Sequence, residues 1–245
     1  MFKKTQKGYY EFNKFKKFKG LIHGFSSRKF GDMRSNKKLD NFLHVLNLQK
    51  KNLVLMEQVH GDKVKVVDED EKGKVIPGID GMVTNTFGIV LGVKTADCLP
   101  ILFYDPIGKI IGVVHAGWRG ILARIAQKVI DLMIKMGSVP SDILIGIGPY
   151  IGGCCYSADN QRAGQFLGEF GNLPSMIYSN QKGLYLDLAV PTLNQLVQSG
   201  VPKENIFNSQ ICTSCQNKEF FSYRKDSKKT YGEMLGIISF NNIAE

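Results

Sequence analysis

The sequence has no long apolar run, only four histidines and an odd number of cysteines. No stretch approaches the roughly 18 consecutive apolar residues that a membrane-spanning helix needs, so we expect no membrane segment. The lysines at the start of the chain are not followed by the apolar segment of a secretory signal peptide. With 5 cysteines in a chain long enough to fold without disulfides, reduced thiols in the cytoplasm are the expectation.

The composition favours one globular domain over residues 1–245, with two small lobes as the alternative. A hydrophobic content of 43% can bury a substantial core in a chain of this length. The net charge of +10 would suit an anionic partner or substrate but does not identify one, and the oligomeric state stays open. Lysines alternate with aromatic residues in the first 20 positions, yet no nucleic-acid-binding motif accompanies them. We therefore expect an N-terminal strand pair with a solvated face and no nucleic-acid partner.

Strand-like and helix-like stretches alternate along the chain, which predicts an α/β fold. The predicted strands are residues 52–60, 63–68, 88–104 as one strand or a pair, 109–115 and 142–147. The predicted helices are residues 121–136, 160–170 and 188–198, and residues 216–238 are expected to form a loop and a final strand.

Three apolar segments each supply one candidate metal ligand: His60, Cys98 and His115. Two imidazoles and one thiolate form a ligand set for a soft to borderline metal with one open position. The three residues are too far apart in sequence for a zinc finger, and a site assembled from distant strands is typical of catalysis. Spacing alone leaves other interpretations open, because isolated cysteines and histidines are common in protein cores. Without a metal, Cys98 beside two histidines is also a nucleophile and base pair for an amide hydrolase.

The residues around these ligands resemble the motifs of the YfiH family, also called laccase-domain or polyphenol oxidase proteins. The matching strings are Gln58-Val-His60-Gly, Thr95-Ala-Asp-Cys98-Leu-Pro100, His115-Ala-Gly-Trp-Arg119-Gly120 and Ile147-Gly-Pro-Tyr-Ile-Gly152. Phe25-Ser-Ser-Arg28 and Cys212-Thr213 with Phe221-Ser-Tyr-Arg224 are similar to the flanking motifs, so the resemblance spans nearly the whole chain.

This resemblance implies a layered α/β sandwich, also compared with a cysteine-hydrolase toxin domain, and a zinc site made by His60, Cys98 and His115. It implies phosphorolysis of adenosine, inosine and methylthioadenosine, together with adenosine deamination. An older description of the family is copper-dependent laccase, and a bacterial branch is linked to editing of peptidoglycan precursors. The implied partners are purine nucleosides and phosphate.

The histidine count separates these activities. A multicopper laccase needs a mononuclear site and a three-copper cluster, largely bound by imidazoles, which His23, His44, His60 and His115 cannot supply. A single copper at the three ligands stays open, but no axial methionine can be named, so zinc with an open fourth position is favoured. A copper oxidoreductase, a peptidoglycan-precursor hydrolase using Cys98 and a non-catalytic binding protein remain as alternatives.

Four further residues are candidates for work on the substrate. Asp97 is the carboxylate nearest the ligands in sequence and could transfer protons during deamination. A regular strand would point Asp97 away from Cys98, so this role requires a bend, and capping a turn is the alternative. Arg28 and Arg119 are candidates for binding phosphate. Gln58 could contact the substrate or orient the metal ligands.

The other cysteines give a weaker signal. Cys212-Thr-Ser-Cys215 is half of a metal or redox motif, and Cys154-Cys155 could supply other ligands, but no second CxxC is present. We expect reduced thiols there and no second metal. The sequence departs from the family pattern after Arg28, at Ser157 and at Thr230-Tyr-Gly-Glu233, which leaves the choice of substrate open.

Overall fold

A computed structural model describes residues 1–227 and 229–241. The strands are β1 (Phe2–Lys4), β2 (Tyr10–Phe12), β3 (Leu21–Phe25), β4 (Leu53–Met56), β5 (Val64–Val66), β6 (Val75–Ile76), β7 (Gly81–Thr84), β8 (Val90–Thr95), β9 (Leu99–Asp105), β10 (Ile110–Ala116), β11 (Leu144–Ile147), β12 (Ile177–Asn180), β13 (Gly183–Leu186), β14 (Ile206–Asn208) and β15 (Met234–Phe240). The helices are α1 (Asn36–Val45), α2 (Trp118–Leu122), α3 (Ile125–Lys135), α4 (Asn160–Phe170) and α5 (Ala189–Gln198). In the described part of the chain, none of the helices has the length and apolar character needed to cross a membrane.

Two mixed sheets form the centre of the molecule. The first contains seven strands in the order β1-β2-β3-β15-β8-β4-β6, and the second contains six in the order β14-β11-β9-β10-β7-β5. Strands β12 and β13 form a separate antiparallel hairpin. The two sheets pack face to face, with β10 against β8 and β15.

The strand alternation explains the layers. In β9, Leu102 and Tyr104 pack between the sheets, while Ile101 and Phe103 face the other way, into a core shared with α2, α3, α4 and α5. Helix α1 covers the outer face of the first sheet through its buried face, including Phe42. The layered α/β sandwich predicted from the sequence is confirmed.

The N-terminal segment forms a strand pair, as predicted. Strands β1 and β2 are antiparallel, and Phe12 and Phe15 are buried between the sheets. Phe2, Tyr10 and Phe18 pack against the same core. These rings pack in the core, and the lysines of the first 20 residues are exposed, as expected for a strand pair with a solvated face.

Two predicted elements had wrong bounds, one at the His60 loop and one at Arg124, and a third left two forms open. The strand predicted to reach His60 ends at Met56, and His60 adopts a φ of 58° in the following loop. The stretch from residue 88 to 104, predicted as one strand or a pair, is a pair of strands separated by a bend at Asp97, whose φ is 100°. The helix predicted over 121–136 is two helices, because Arg124 has a φ of 59° between them. Sequence periodicity does not predict a positive φ at a non-glycine residue, because contacts in the folded structure stabilise that conformation.

Candidate metal centre

The sheet topology brings the three predicted ligands to one edge of the sandwich. Strands β4 and β8 run parallel in the first sheet, so both end at this edge. In the second sheet β9 begins opposite the end of β10, where Leu99 pairs with Ala116. The loop after β4, the bend between β8 and β9 and the end of β10 therefore meet.

His60, Cys98 and His115 converge at this edge. Their ligand atoms all lie within 4.8 Å of one another. The two imidazole rings are nearly perpendicular, at 87°, with their centroids 4.7 Å apart. His115 is buried, Cys98 is partly buried and His60 is exposed, so the group opens to solvent on one side.

Gly117 makes this convergence possible. A Cβ atom at Gly117 would lie 3.0 Å from Cδ2 of His60 and 3.4 Å from Sγ of Cys98. Any larger residue would therefore press on two of the three candidate ligands. Gly117 also precedes α2, which turns the chain away from the site immediately after His115.

Asp80 organises the two histidines and was not identified from the sequence. Its fully buried carboxylate accepts a hydrogen bond from Nδ1 of His115 at 2.7 Å. The same carboxylate accepts hydrogen bonds from the backbone amides of Val59, His60 and Gly61, at 3.2, 3.0 and 2.7 Å. A carboxylate on Nδ1 fixes the ring and leaves Nε2 as the nitrogen available to a metal. The one sequence signal was a lone acidic residue between apolar Ile79 and strand β7.

The site stabilises a thiolate. Burial raises the pKa of Cys98, but the nearby His115 and His60 imidazoles outweigh burial and lower this pKa to about 6. Burial lowers the pKa of His115, yet the charges of Cys98 and Asp80 raise it to about 9. Without a metal, the site therefore favours a Cys98 thiolate beside a protonated His115. A thiolate is the form that binds a metal or acts as a nucleophile.

The donor set fits one borderline metal ion. Two imidazole nitrogens and one sulfur leave a fourth tetrahedral position open toward solvent. His23 does not contribute, because its Nε2 accepts a hydrogen bond from the backbone amide of Phe12 inside the core. His44 lies on α1 and is not part of this group. The imidazoles of His60 and His115 alone do not suffice for a multicopper cluster.

The three ligands lie in a cavity of about 660 Å³ with cationic and aromatic walls. Its other lining residues are Met56, Gln58, Lys94, Thr95, Ala96, Asp97, Trp118, Arg119, Tyr156, Arg162, Tyr223, Arg224, Tyr231 and Glu233. The volume lies in the range usual for small-molecule sites.

Three arginines line this cavity, and two of them were not predicted. Arg119 and Arg162 place their guanidinium carbons 4.4 and 4.6 Å from the centre of the Trp118 ring. Within residues 1–227 and 229–241, the Arg119 guanidinium forms no hydrogen bond or ion pair, and the buried Nε of Arg162 has no partner. Arg224 donates to Oγ of Ser157 at 2.7 Å. Arg162 and Arg224 are distant from the ligands in sequence, so only the fold brings them here.

The remaining predicted residues occupy different positions. Arg28 lies outside the cavity lining, where it forms an ion pair with Asp226 at 2.5 Å and stacks on Phe221. Gln58 lines the cavity, but its amide group is hydrogen bonded to the backbone N–H and C=O of Lys94, at 2.9 and 2.8 Å. Gln58 thus fastens the His60 loop to β8.

Asp97 occupies the bend that its proposed catalytic role requires, but both its oxygens have partners. One oxygen accepts a hydrogen bond from Oγ1 of Thr213 at 2.6 Å, and the other accepts one from the backbone amide of Arg224 at 2.7 Å. Its carboxylate therefore joins the Cys98 bend to two C-terminal loops.

The fold and the site together define a class of α/β proteins with a candidate mononuclear metal centre in a cationic cavity. The family model described as multi-copper polyphenol oxidoreductase laccase matches residues 27–241, and the chain belongs to this family, the YfiH family of the sequence motifs.

Several relatives and solved structures are similar to this chain. Purine nucleoside phosphorylase YlmD from Geobacillus stearothermophilus is 37% identical over 195 residues, which cover 76% of this chain and 71% of the relative. Adenosine deaminase RL5, from an unknown prokaryotic organism, is 36% identical over 71% of this chain and 70% of its own length. The crystal structure of Geobacillus stearothermophilus YlmD has a TM-score of 0.88 at 30% identity, covering 98% of this chain and 99% of that one. The structure of Bacillus licheniformis YfiH has a TM-score of 0.87 at 26% identity, with the same coverage.

Proposed function

We propose that this protein is a zinc-dependent purine nucleoside phosphorylase acting on adenosine, inosine and methylthioadenosine. The observation that carries the proposal is the opening of the His60, Cys98 and His115 group into a cavity where, within the described residues, the Arg119 guanidinium stacks on Trp118 but forms no hydrogen bond or ion pair. The relatives named purine nucleoside phosphorylase support the same conclusion.

Phosphorolysis needs an anion held against C1′ of the ribose while the bond from C1′ to the base breaks. An oxygen of phosphate forms the new bond to C1′, and the electron pair of the broken bond leaves with the base. Arg119, Arg162 and Arg224 can together hold a phosphate through charge-assisted hydrogen bonds. Arg119 is exposed and forms no hydrogen bond or ion pair in the described chain, so it has the fewest polar contacts to give up when it binds phosphate.

Aromatic side chains at the cavity mouth suit a purine base. Tyr223 and Tyr231 stand edge to face, with ring centres 5.4 Å apart, and Tyr223 is 60% exposed. A planar base can stack on an exposed aromatic ring with a gain of about 1–3 kcal/mol. The base would then lie at the mouth and the phosphate among the arginines.

The residues at the centre fit zinc, with His60, Cys98 and His115 as the protein ligands. When bound there, zinc would supply a Lewis-acid charge beside the reacting atoms. Asp80 fixes the ring orientation of His115 and the path of the His60 loop, so the ligands need little rearrangement. Asp97 acts as a positioning residue, because its oxygens are both occupied in joining the Cys98 bend to Thr213 and Arg224.

Adenosine deamination is the second candidate activity. The relative named adenosine deaminase supports it, and the same cavity would bind the same nucleoside. Deamination yields inosine and ammonia and needs water instead of phosphate, so the two reactions are separable by their products.

The first experiment is product analysis by mass spectrometry after incubation of the zinc-loaded protein with adenosine, with and without phosphate. Adenine and ribose 1-phosphate that appear only with phosphate are the expected products. Inosine without phosphate dependence would instead support deamination. Cys98→Ala should abolish the reaction, and Lys50→Ala is the matched control, since Lys50 pairs with Asp40 outside the cavity lining. Absence of both products from protein that holds zinc would overturn the proposal.

The same preparations test the alternatives. Copper at this centre would give a thiolate-to-copper absorption band and phenol oxidation. A Cys98 nucleophile would act in metal-free protein and be inactivated by alkylation, whereas the zinc enzyme would be inactive without metal.

A further inference from the structure

A second group of cysteines lies outside the candidate centre, at a position that the sequence did not predict to bind a metal. Cys154 and Cys155 belong to the loop that follows β11, and Cys212 and Cys215 belong to the loop that follows β14. Strands β11 and β14 are parallel neighbours, so both loops leave the same edge of the second sheet. A bridge between Tyr150 and Cys212 continues this pairing beyond the strands.

The four sulfur atoms all lie within 4.8 Å of one another. Sγ of Cys215 is 3.5 Å from that of Cys154 and 3.4 Å from that of Cys155, and the two adjacent cysteines are 3.8 Å apart. Four thiolates around one zinc ion, with bonds of about 2.3 Å, would be about 3.8 Å apart at tetrahedral angles. The observed spacing thus fits ligands of a single ion. An iron–sulfur cluster would hold some of its four cysteines further apart, because they bind different irons.

Ordinary burial does not explain this convergence. Free cysteines that serve as small apolar residues are usually buried, whereas Cys154 and Cys215 are exposed and Cys155 and Cys212 are only partly buried. All four are free thiols in this structure, so disulfides do not hold the loops together. Gly152 adds a further sign of close fit, since a Cβ there would lie 3.4 Å from Sγ of Cys154 and 3.3 Å from Cβ of Cys212.

We propose that Cys154, Cys155, Cys212 and Cys215 bind one structural zinc ion that joins the β11 loop to the β14 loop. The site supplies four protein ligands and no open position, which is the arrangement of a structural rather than a catalytic zinc. It does not depend on the function proposed for the other centre.

This zinc would also brace one wall of the catalytic cavity. Tyr156, which follows Cys155, lines the cavity. Thr213, which lies between Cys212 and Cys215, donates the 2.6 Å hydrogen bond to Asp97. Asp97 in turn precedes the candidate ligand Cys98. Loss of the second zinc should therefore loosen the loops that shape the cavity and leave the three ligands of the first centre in place.

The test is metal content of the full chain, purified without added metal and measured by elemental analysis. The expected result is two zinc ions per chain in the natural sequence, one in the double variant Cys212→Ser/Cys215→Ser and one in Cys98→Ser. Cys98→Ser is the matched control, because it removes the fifth cysteine and only the first centre. Its retained zinc would support this proposal even if the proposed nucleoside activity fails.

If the double variant does not fold, two measurements on the natural sequence test whether the four cysteines bind zinc. Cobalt substitution should give the intense thiolate charge-transfer absorption of a four-sulfur tetrahedral site, beyond that expected from Cys98 alone. The thiols of Cys154 and Cys215, although exposed, should resist alkylation until a chelator is added. One zinc per chain with rapid alkylation of all four thiols, a mass loss showing a disulfide among them, or iron in place of zinc would each overturn the proposal.

Discussion

The carboxylate of Asp80 accepts a hydrogen bond from Nδ1 of His115 at 2.7 Å, and it also binds the backbone amide of His60. One buried side chain thereby positions two of the three candidate metal ligands. This makes Asp80 a test of the centre that does not remove a ligand.

Asp80→Asn should weaken metal binding by about 10- to 100-fold, the usual effect of losing a carboxylate behind a ligating histidine. Competition with a chromophoric chelator measures the affinity. Asp62→Asn is the matched control, because Asp62 is near in sequence but pairs with Lys128 on the surface. Equal affinities in the Asp80 variant and the natural protein would show that the His115 contact does not orient the ring for metal.

Arg119→Ala should raise the KM for phosphate by roughly 10- to 100-fold, since a hydrogen bond to a charged group is worth about 1.5–3 kcal/mol. Steady-state kinetics at saturating nucleoside provide the measurement. Arg124→Ala is the control, because Arg124 pairs with Glu169 away from the cavity lining. An unchanged phosphate KM would remove Arg119 from the anion site.

Cys98 in metal-free protein should be alkylated with a half-maximal rate near pH 6. The two imidazoles lower its pKa to about 6, so the reactive thiolate accumulates well below the ordinary thiol pKa of about 8.5. Mass spectrometry of the peptide that contains Cys98 separates it from the other cysteines. Zinc should protect it, and a profile centred near pH 8.5 would contradict the thiolate assignment.

Asp97→Asn separates a positioning role from proton transfer. The single amide oxygen can accept only one of the two hydrogen bonds that the carboxylate accepts from Thr213 and Arg224, so we expect a higher substrate KM and a lower thermal midpoint, with the pH profile of kcat unchanged. Steady-state kinetics across pH, together with thermal unfolding, check this. A large loss of kcat that removes one limb of the pH profile would restore Asp97 as a proton-transfer group.

His23 should make folding stability depend on pH. Burial lowers its pKa to about 3 in the folded state, against about 6.5 when unfolded, so the unfolded chain binds the extra proton between these values. Its stabilisation is complete above pH 6.5 and is lost as pH falls toward 3, at about 1.4 kcal/mol per unit.

Denaturant unfolding between pH 4.5 and 6.5 measures this slope above the range where most carboxylates titrate. His23→Gln should flatten it, whereas His44→Gln, on the exposed side of α1, should not. If the unfolding free energy has the same slope against pH in both variants, groups other than His23 cause the pH dependence.

The extent to which the sequence predicted the structure differs from element to element. Helix α4 has the predicted bounds, because Asp159 caps its start and apolar residues recur at helical spacing. Helix α1 was not predicted, since its first turn is polar and lysine-rich. The strand error at His60 and the unpredicted position of the bend at Asp97 occur at positive φ angles, where Asp80 accepts a hydrogen bond from the His60 amide and Asp97 accepts one from Thr213.

The sequence by itself predicted the α/β class from its alternating elements, and its motifs, through their resemblance to the YfiH family, predicted the layered sandwich and the choice of His60, Cys98 and His115, because alternation and motif residues are local properties of the chain. Only the tertiary structure decided what surrounds them. Segments that are distant in sequence meet at three places: where Asp80 contacts His115, where Arg162 and Arg224 line the cavity, and in the four-cysteine group. Such contacts depend on strand order and on which edge each strand ends at, and no local pattern encodes either.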